Sequence, residues 1–419
     1  MRTPFKLTQL QHLILSPLQW CVILIGLSVP ISVAFDNLML ALILLGALFS
    51  LRRVSNVAIT HPVARAAVML FVMLFVAMFY GATPLKEALV ILVKYIDLAF
   101  IPVFIFLLSS ERVQRNARYA FMVAMAITLF ISYLVGLKIL PITTWMHIWT
   151  VPGNPAIFHS HITQNNMMAF AVFLALLEWR DAKTRISKLA WGLFATLASI
   201  NVLFMVEGQT GYVIYAALLA WFAWASLSRA MRQRNKNWGW LQGGLIALLL
   251  SVGAVGSYHN SSHLHERVAE AISEYQNWTT DHGNTSIGLR LDFYSNTLAL
   301  VKDNLLLGVG TGGFPAAFAL RIQGTDAQTT HNPHNEYLMI SAQTGMIGLG
   351  LMLFLFYTHW RYAPLLPSPF QQDAARGLLI AYIINCLFNS ALMDHSAGLF
   401  FAFMTGVLFS NLKLGSKHD

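Results

Sequence analysis

Two histidines three residues apart, His331 and His334, stand in the polar run Thr330-His331-Asn332-Pro333-His334-Asn335-Glu336-Tyr337-Leu338, directly ahead of a long apolar segment. An imidazole with an ordinary pKa of ~6.5 can take a proton from a hydroxyl near neutral pH, hold a metal, or simply solvate a loop. A metal needs further ligands, and the chain has no HExxH, no Asp-x-Asp pair and two cysteines, Cys21 and Cys386, both inside apolar runs. Proton transfer is therefore the stronger functional option for the pair. Its complement is Arg290. The residues Ile287, Leu291, Tyr294, Leu298 and Val301 advance by three and four, so Arg290 borders the apolar face of a helix. A guanidinium in that position suits a phosphate or diphosphate gripped by both arms of its fork. The plainer alternative is an interfacial arginine paired with Asp292 or a lipid headgroup. Arg267 and Arg321 carry the same ambiguity, and Lys86 is a further phosphate candidate near the end of an apolar run.

Other polar groups interrupt apolar sequence. Lys94 and Asp97 are costly to place in a membrane, which predicts that they face the bundle interior as a structural ion pair. Glu207-Gly208-Gln209-Thr210-Gly211 and Asp394-His395 read as short turns between spans. Gln209 there, and a carboxylate at Asp394 that can orient a histidine or an incoming hydroxyl, become substrate-side candidates, with turn solvation as the alternative. The run Gly308-Val309-Gly310-Thr311-Gly312-Gly313 superficially resembles a phosphate cradle. It lacks the following Lys-Ser/Thr and any strand–helix alternation, so a tight reversal with close packing is the better reading.

The elements that must position these residues follow from composition. Of 419 residues 57% are hydrophobic and 11% charged, against roughly 25% charged in soluble domains, which excludes a soluble enzyme. Apolar segments at about 13–32, 36–51, 62–80, 85–108, 119–140, 162–179, 189–206, 211–227, 238–257, 337–358, 376–393 and 397–412 predict an all-α polytopic membrane protein with about twelve transmembrane helices. If the N-terminus is cytoplasmic, all but seven of the 27 lysines and arginines flank the spans on that side. The exceptions are Lys86, Lys94, Lys138, Arg267, Arg290, Lys302 and Arg321. The formal charge of +9 is thereby explained by topology rather than by nucleic acid. Three regions result: helices one to nine over 1–257, a large outer loop with amphipathic helices over 258–336, and helices ten to twelve with a cytoplasmic tail over 337–419. Leu264, Val268, Ala271, Ile272 and Tyr275 predict the first helix of that loop.

The ordered set Arg290, Tyr294, Asn304–Phe314, His334-Asn335-Glu336-Tyr337-Leu338, Gly345 and Gly348, behind many spans and one late outer loop, resembles the O-antigen ligase and polymerase superfamily. The resemblance implies a GT-C-type glycosyltransferase of the bacterial inner membrane, with its site on the periplasmic side and no cofactor or metal. Its implied donor is a glycan on undecaprenyl diphosphate, its acceptor lipid A–core, and its surroundings membrane lipids. His334 is implied as the base and Arg290 as the diphosphate binder, with Tyr294 and Asn335 within the shared motif; His331 lies outside it. The family often has an arginine in the outer turn where this chain has Gln209, so a second cation would have to come from Arg267, Arg321 or Lys86. The resemblance does not separate ligase from polymerase or protein O-oligosaccharyltransferase, although a length near 420 leans toward the ligase.

Topology points to the same chemistry independently. A site on the outer face has no access to cytoplasmic nucleotide sugars, so an activated donor must arrive through the bilayer, most simply on a polyprenyl diphosphate. With no paired carboxylates for a glycosyl-enzyme intermediate, direct displacement inverts the anomeric carbon. The rival of another class is a transporter of lipid-linked glycan. Against it, the sequence shows no pair of interrupted helices in corresponding positions of two halves.

Overall fold

The computed structural model describes residues 9–232 and 286–412, apart from Trp149 and Asp326. Its α-helices are α1 (Gln9–Ser28), α2 (Val33–Ala47), α3 (Leu51–Thr60), α4 (Pro62–Ala77), α5 (Leu85–Lys94), α6 (Asp97–Leu107), α7 (Glu111–Gly136), α8 (His161–Asp181), α9 (Arg185–Ile200), α10 (Gln209–Arg232), α11 (Ser286–Asp303), α12 (Phe314–Arg321), α13 (Glu336–Tyr362), α14 (Pro369–Phe388) and α15 (His395–Phe409). Among the described residues there is no β-strand, only an isolated bridge between Val151 and Asn154. Every expected apolar segment within these residues falls on a helix. The ninth, at 238–257, the amphipathic helix near 264–275, and the 257/258 boundary lie outside the described residues.

Among the described residues, five helical stretches are long and apolar enough to cross a membrane, and α5 with α6, bent by 40° at their break, would make a sixth. Two of the expected twelve spans fall short in length, at Pro62–Ala77 and His395–Phe409, and Leu15–Ser28 is the apolar part of the 20-residue α1. Two more, α8 and α14, are long enough but too polar. They carry Gln164, Asn165 and Asn166, and Gln371, Gln372, Asp373 and Asn385, respectively. Amides at such positions must turn toward protein, because lipid offers them no partner. Large apolar side chains such as Leu45, Phe79 and Leu189 are exposed, a surface stable against acyl chains and unfavourable in water. The chain is a multi-pass helical membrane protein.

Helix ends are set by local chemistry. Ser32, Ser160, Thr184, Ser368 and Asp394 each accept a backbone N–H from the first turn of α2, α8, α9, α14 and α15. Helices α8, α10 and α14 pack together, α13 lies on α4 and α14, and α11 lies across α13.

The Gly308–Gly313 run is a reversal, as its sequence suggests. The N–H groups of Val309 and Gly310 donate to Ala342 and Gln343 carbonyls (2.8 and 2.9 Å), and Thr311 N–H donates to Ala77 O (3.1 Å). Its donors are therefore spent on protein rather than on a phosphate. A Cβ at Gly310 would lie 2.5 Å from the Gly81 Cα, at a φ of +89°. The same reversal packs against an unexpected break inside α13. Gly345 adopts φ +64° and ψ −162°, and the Leu305–Gly310 backbone bonds to residues 342–346 across the kink.

Two expectations need correction here. Among the described residues, helix breaks include those between α5 and α6 and at Gly345, whereas no interrupted pair was expected. At Gly345, however, the break is sealed by neighbouring backbone rather than opened onto a cavity. Lys94 and Asp97 form no ion pair. The break at Tyr95–Ile96 leaves Lys94 exposed and Asp97 buried, where its carboxylate faces His395 Nδ1 at 3.6 Å.

Candidate functional site

Two of the amides that make α8 and α14 too polar, Asn166 and Asn385, meet at a cavity of about 240 Å³, walled by α8, α10, α14, α15 and the loop before α13. Asn166 Nδ2 donates to Asn385 Oδ1 (3.1 Å), which also accepts from Asn389 Nδ2 (2.9 Å), and Asn389 Nδ2 reaches Thr210 Oγ1 (3.3 Å). Phe170 and Phe400, ring centroids 5.6 Å apart and edge to face, form an apolar wall. His334, Asn332, Ser390 and Asp394 line the same space.

His334 is held there in an uncommon conformation. Its φ is +55°, in the left-handed region that non-glycine residues rarely adopt and that costs ~1–3 kcal/mol unless the surroundings enforce it. The enforcing groups are visible. Asn332 Oδ1 accepts both the His334 N–H (2.8 Å) and the Ser390 hydroxyl (2.6 Å). Tyr294, whose hydroxyl lies 3.2 Å from His334 O and 3.0 Å from Leu387 O, ties the loop to α11 and α14.

Helix α11 brings the cation. Arg290, Phe293 and Tyr294 occupy positions i, i+3 and i+4, hence one face. The Phe293 ring stacks on the His334 ring at 6.4 Å and 27°. Burial first, and then the positive charge of Arg290, lower the His334 pKa below the ordinary imidazole range. The half-buried imidazole is thus biased toward its neutral, proton-accepting form. Burial likewise raises the Tyr294 phenol, the nearby Arg290 charge partly opposing it.

The loop ends on an anchor that sequence reasoning left without a role. Glu336 is fully buried at the start of α13, and its carboxylate accepts from Tyr95 Oη (2.9 Å), Leu392 N (2.8 Å) and Met393 N (3.3 Å). One side chain therefore links the α5–α6 break, the α14–α15 turn and the histidine loop. Glu336→Ala leaves that hydroxyl and those two amides buried without their acceptor, each costing ~1–3 kcal/mol. A melting temperature lower by several degrees is expected, measured by thermal unfolding in detergent; an unchanged melt removes Glu336 from this positioning role.

The other candidates separate. Asn335 caps α13: its Oδ1 accepts Leu338 N–H (3.0 Å) and its Nδ2 donates to Leu387 O (3.0 Å). Asp394 lines the cavity while capping α15 through Ala397 N–H (2.9 Å). Gln209 is exposed at the start of α10, one residue before Thr210 of the amide ladder. Lys86 is exposed on α5 and is not among the cavity-lining residues. Arg321 pairs with Asp303 at 2.6 Å on the exposed end of α12 and does not line the cavity either. Arg267 lies outside the described residues, and His331 is exposed without lining the cavity. Among the described residues no three His, Cys, Asp or Glu side chains converge as a metal site.

Fold and site together define a multi-pass membrane protein with a polar cavity beside an imidazole and a cation-bearing helix. Residues 194–353, which include α10, α11, α12, the histidine loop and about two thirds of α13, match the family model described as O-antigen ligase, which supports a place in the O-antigen ligase superfamily. No curated protein matches the chain.

Proposed function

We propose that this protein is an O-antigen ligase of the bacterial inner membrane, transferring a glycan from undecaprenyl diphosphate to a sugar hydroxyl of lipid A–core on the periplasmic side. The observation that carries the reading is the pairing of Arg290 and His334: helix α11 sets a guanidinium beside an imidazole kept neutral by burial, at the edge of a polar cavity. His334 takes the proton of the acceptor hydroxyl as its oxygen bonds to the anomeric carbon. The bond from that carbon to the diphosphate oxygen breaks, and its electron pair leaves with the polyprenyl diphosphate, whose charge Arg290 stabilises. Displacement from the opposite face inverts the anomeric centre. The imidazolium so formed is offset by the anionic leaving group, and Arg267, Arg321 and Lys86 are the candidates for a second cation. No step draws on a metal ion.

The test is transfer by purified protein in detergent, with lipid-linked glycan as donor and lipid A–core, a peptide, or the glycan itself as separate acceptors. Glycan joined to lipid A–core, with release of polyprenyl diphosphate and insensitivity to chelator, is the expected result. Product only on glycan or on peptide makes the protein a polymerase or a protein O-oligosaccharyltransferase instead. No product in detergent, with glycan movement only across sealed vesicles, overturns the enzyme reading in favour of a transporter. Loss with chelator and recovery with a divalent cation overturns the metal-independent route.

A further inference from the structure

The transferase reading leaves open which part of which substrate the cavity holds, and the lining chemistry answers this. Its polar walls are amides and hydroxyls, among them Thr163, Asn166, Asn385 and Asn389. Among the described residues no lysine or arginine lines it, and the one carboxylate that does, Asp394, would repel a diphosphate. At about 240 Å³ it lies below the ~300–1,000 Å³ usual for drug-sized ligands, room for a single ring rather than an oligosaccharide. Arg290 is not among its lining residues, whereas His334 is, with Phe293 of the Arg290 helix stacked on the same imidazole. The imidazole therefore stands between a cationic side and a hydroxyl-binding side.

One amide in that hydroxyl-binding side is incompletely used. Asn166 Nδ2 donates within the ladder, but Asn166 Oδ1 is buried and accepts no hydrogen bond among the described residues. Buried acceptors are normally paired, so an unpartnered carbonyl oxygen on a cavity-lining side chain suits a hydroxyl donor. The apolar part of the lining, with Phe170 and Phe400, suits the C–H face of a pyranose.

We infer that the amide-lined cavity between α8, α14 and α15 is the subsite for the acceptor's terminal sugar ring, an uncharged saccharide bound through hydroxyls, with the donor diphosphate held on the opposite, α11 side of His334. This rests on the transferase reading. The base must touch the attacking hydroxyl, so the ring presented to His334 from this cavity, whose lining would repel a diphosphate, is the nucleophile's.

The experiment measures both Michaelis constants, for lipid A–core and for lipid-linked glycan, in wild type and in Asn166→Ala and Thr163→Val. Loss of one substrate hydrogen bond at Asn166 is expected to raise the lipid A–core KM by about tenfold, with the donor KM within about twofold of wild type. Thr163→Val, a near-isosteric change that removes a lining hydroxyl, moves the same constant in the same direction and covers the case in which Asn166→Ala fails to fold. A rise confined to the donor KM, or folded variants with neither constant altered, overturns the subsite while leaving the transferase intact. Wild-type protein that makes no product overturns the transferase reading, and the subsite falls with it.

Discussion

Substituting His334 by alanine is expected to cut glycan transfer by about 10²–10⁴-fold, the usual contribution of a positioned general base. The expectation rests on position, since His334 lines the cavity while facing the Arg290 helix, and burial favours its neutral form. Its backbone needs a separate control. A φ of +55° is awkward for alanine, so part of the loss in His334→Ala could come from a displaced loop. Asparagine tolerates the left-handed region better and cannot act as the base near neutral pH. The hydrogen bonds from His334 N–H to Asn332 and from Tyr294 to His334 O use only its backbone, so both variants keep them. His334→Asn should therefore lose transfer to the same degree with a wild-type melting temperature and an unchanged donor KM. Wild-type turnover in His334→Asn would remove the imidazole from the chemistry.

Arg290 and Tyr294 were legible together because their spacing is local, whereas only the family resemblance joined His334 to them. Periodicity put Arg290 and Tyr294 on one helix face, and Asn332-Pro333 marked the turn. The Gly308–Gly313 run was also readable, since its missing Lys-Ser/Thr argued against a nucleotide and three of its glycines do take positive φ. The cavity was not readable as a unit. Its walls come from residues more than two hundred positions apart, such as Asn166 and Asn385, and only their contact in three dimensions gives either a purpose. A signal was present nonetheless: Gln164-Asn165-Asn166 and Asn385 sit inside expected spans, where an amide must find protein. Lys94 and Asp97 misled for the opposite reason. Their spacing of three fits one helix, but the chain breaks between them and sends the two side chains to different surroundings. Glu336 was hidden by its fold-wide reach, since nothing local reveals that one carboxylate gathers Tyr95, Leu392 and Met393.

Arg290 is the second residue whose loss should be severe, and two substitutions divide its work. Arg290→Lys retains a charge but not the planar fork that grips a diphosphate through two parallel hydrogen bonds. A drop of about 10²-fold in transfer is expected, the scale of losing one donor from a preorganised anion site. Arg290→Gln removes the charge as well and should fall further. The pair also reports on His334. Because the Arg290 charge adds to burial in lowering the imidazole pKa, wild-type kcat/KM should fall on the acid side only below the ordinary value of ~6.5. Protonation is what silences a base, so the sign is fixed: taking the charge away in Arg290→Gln moves that acid limb up in pH, and Arg290→Lys leaves it near its wild-type position. Rate profiles between pH 5 and 8 on all three proteins would show it. An Arg290→Lys enzyme with full turnover sinks the bidentate grip, and an Arg290→Gln limb that stays in place separates the guanidinium from the base it is supposed to tune.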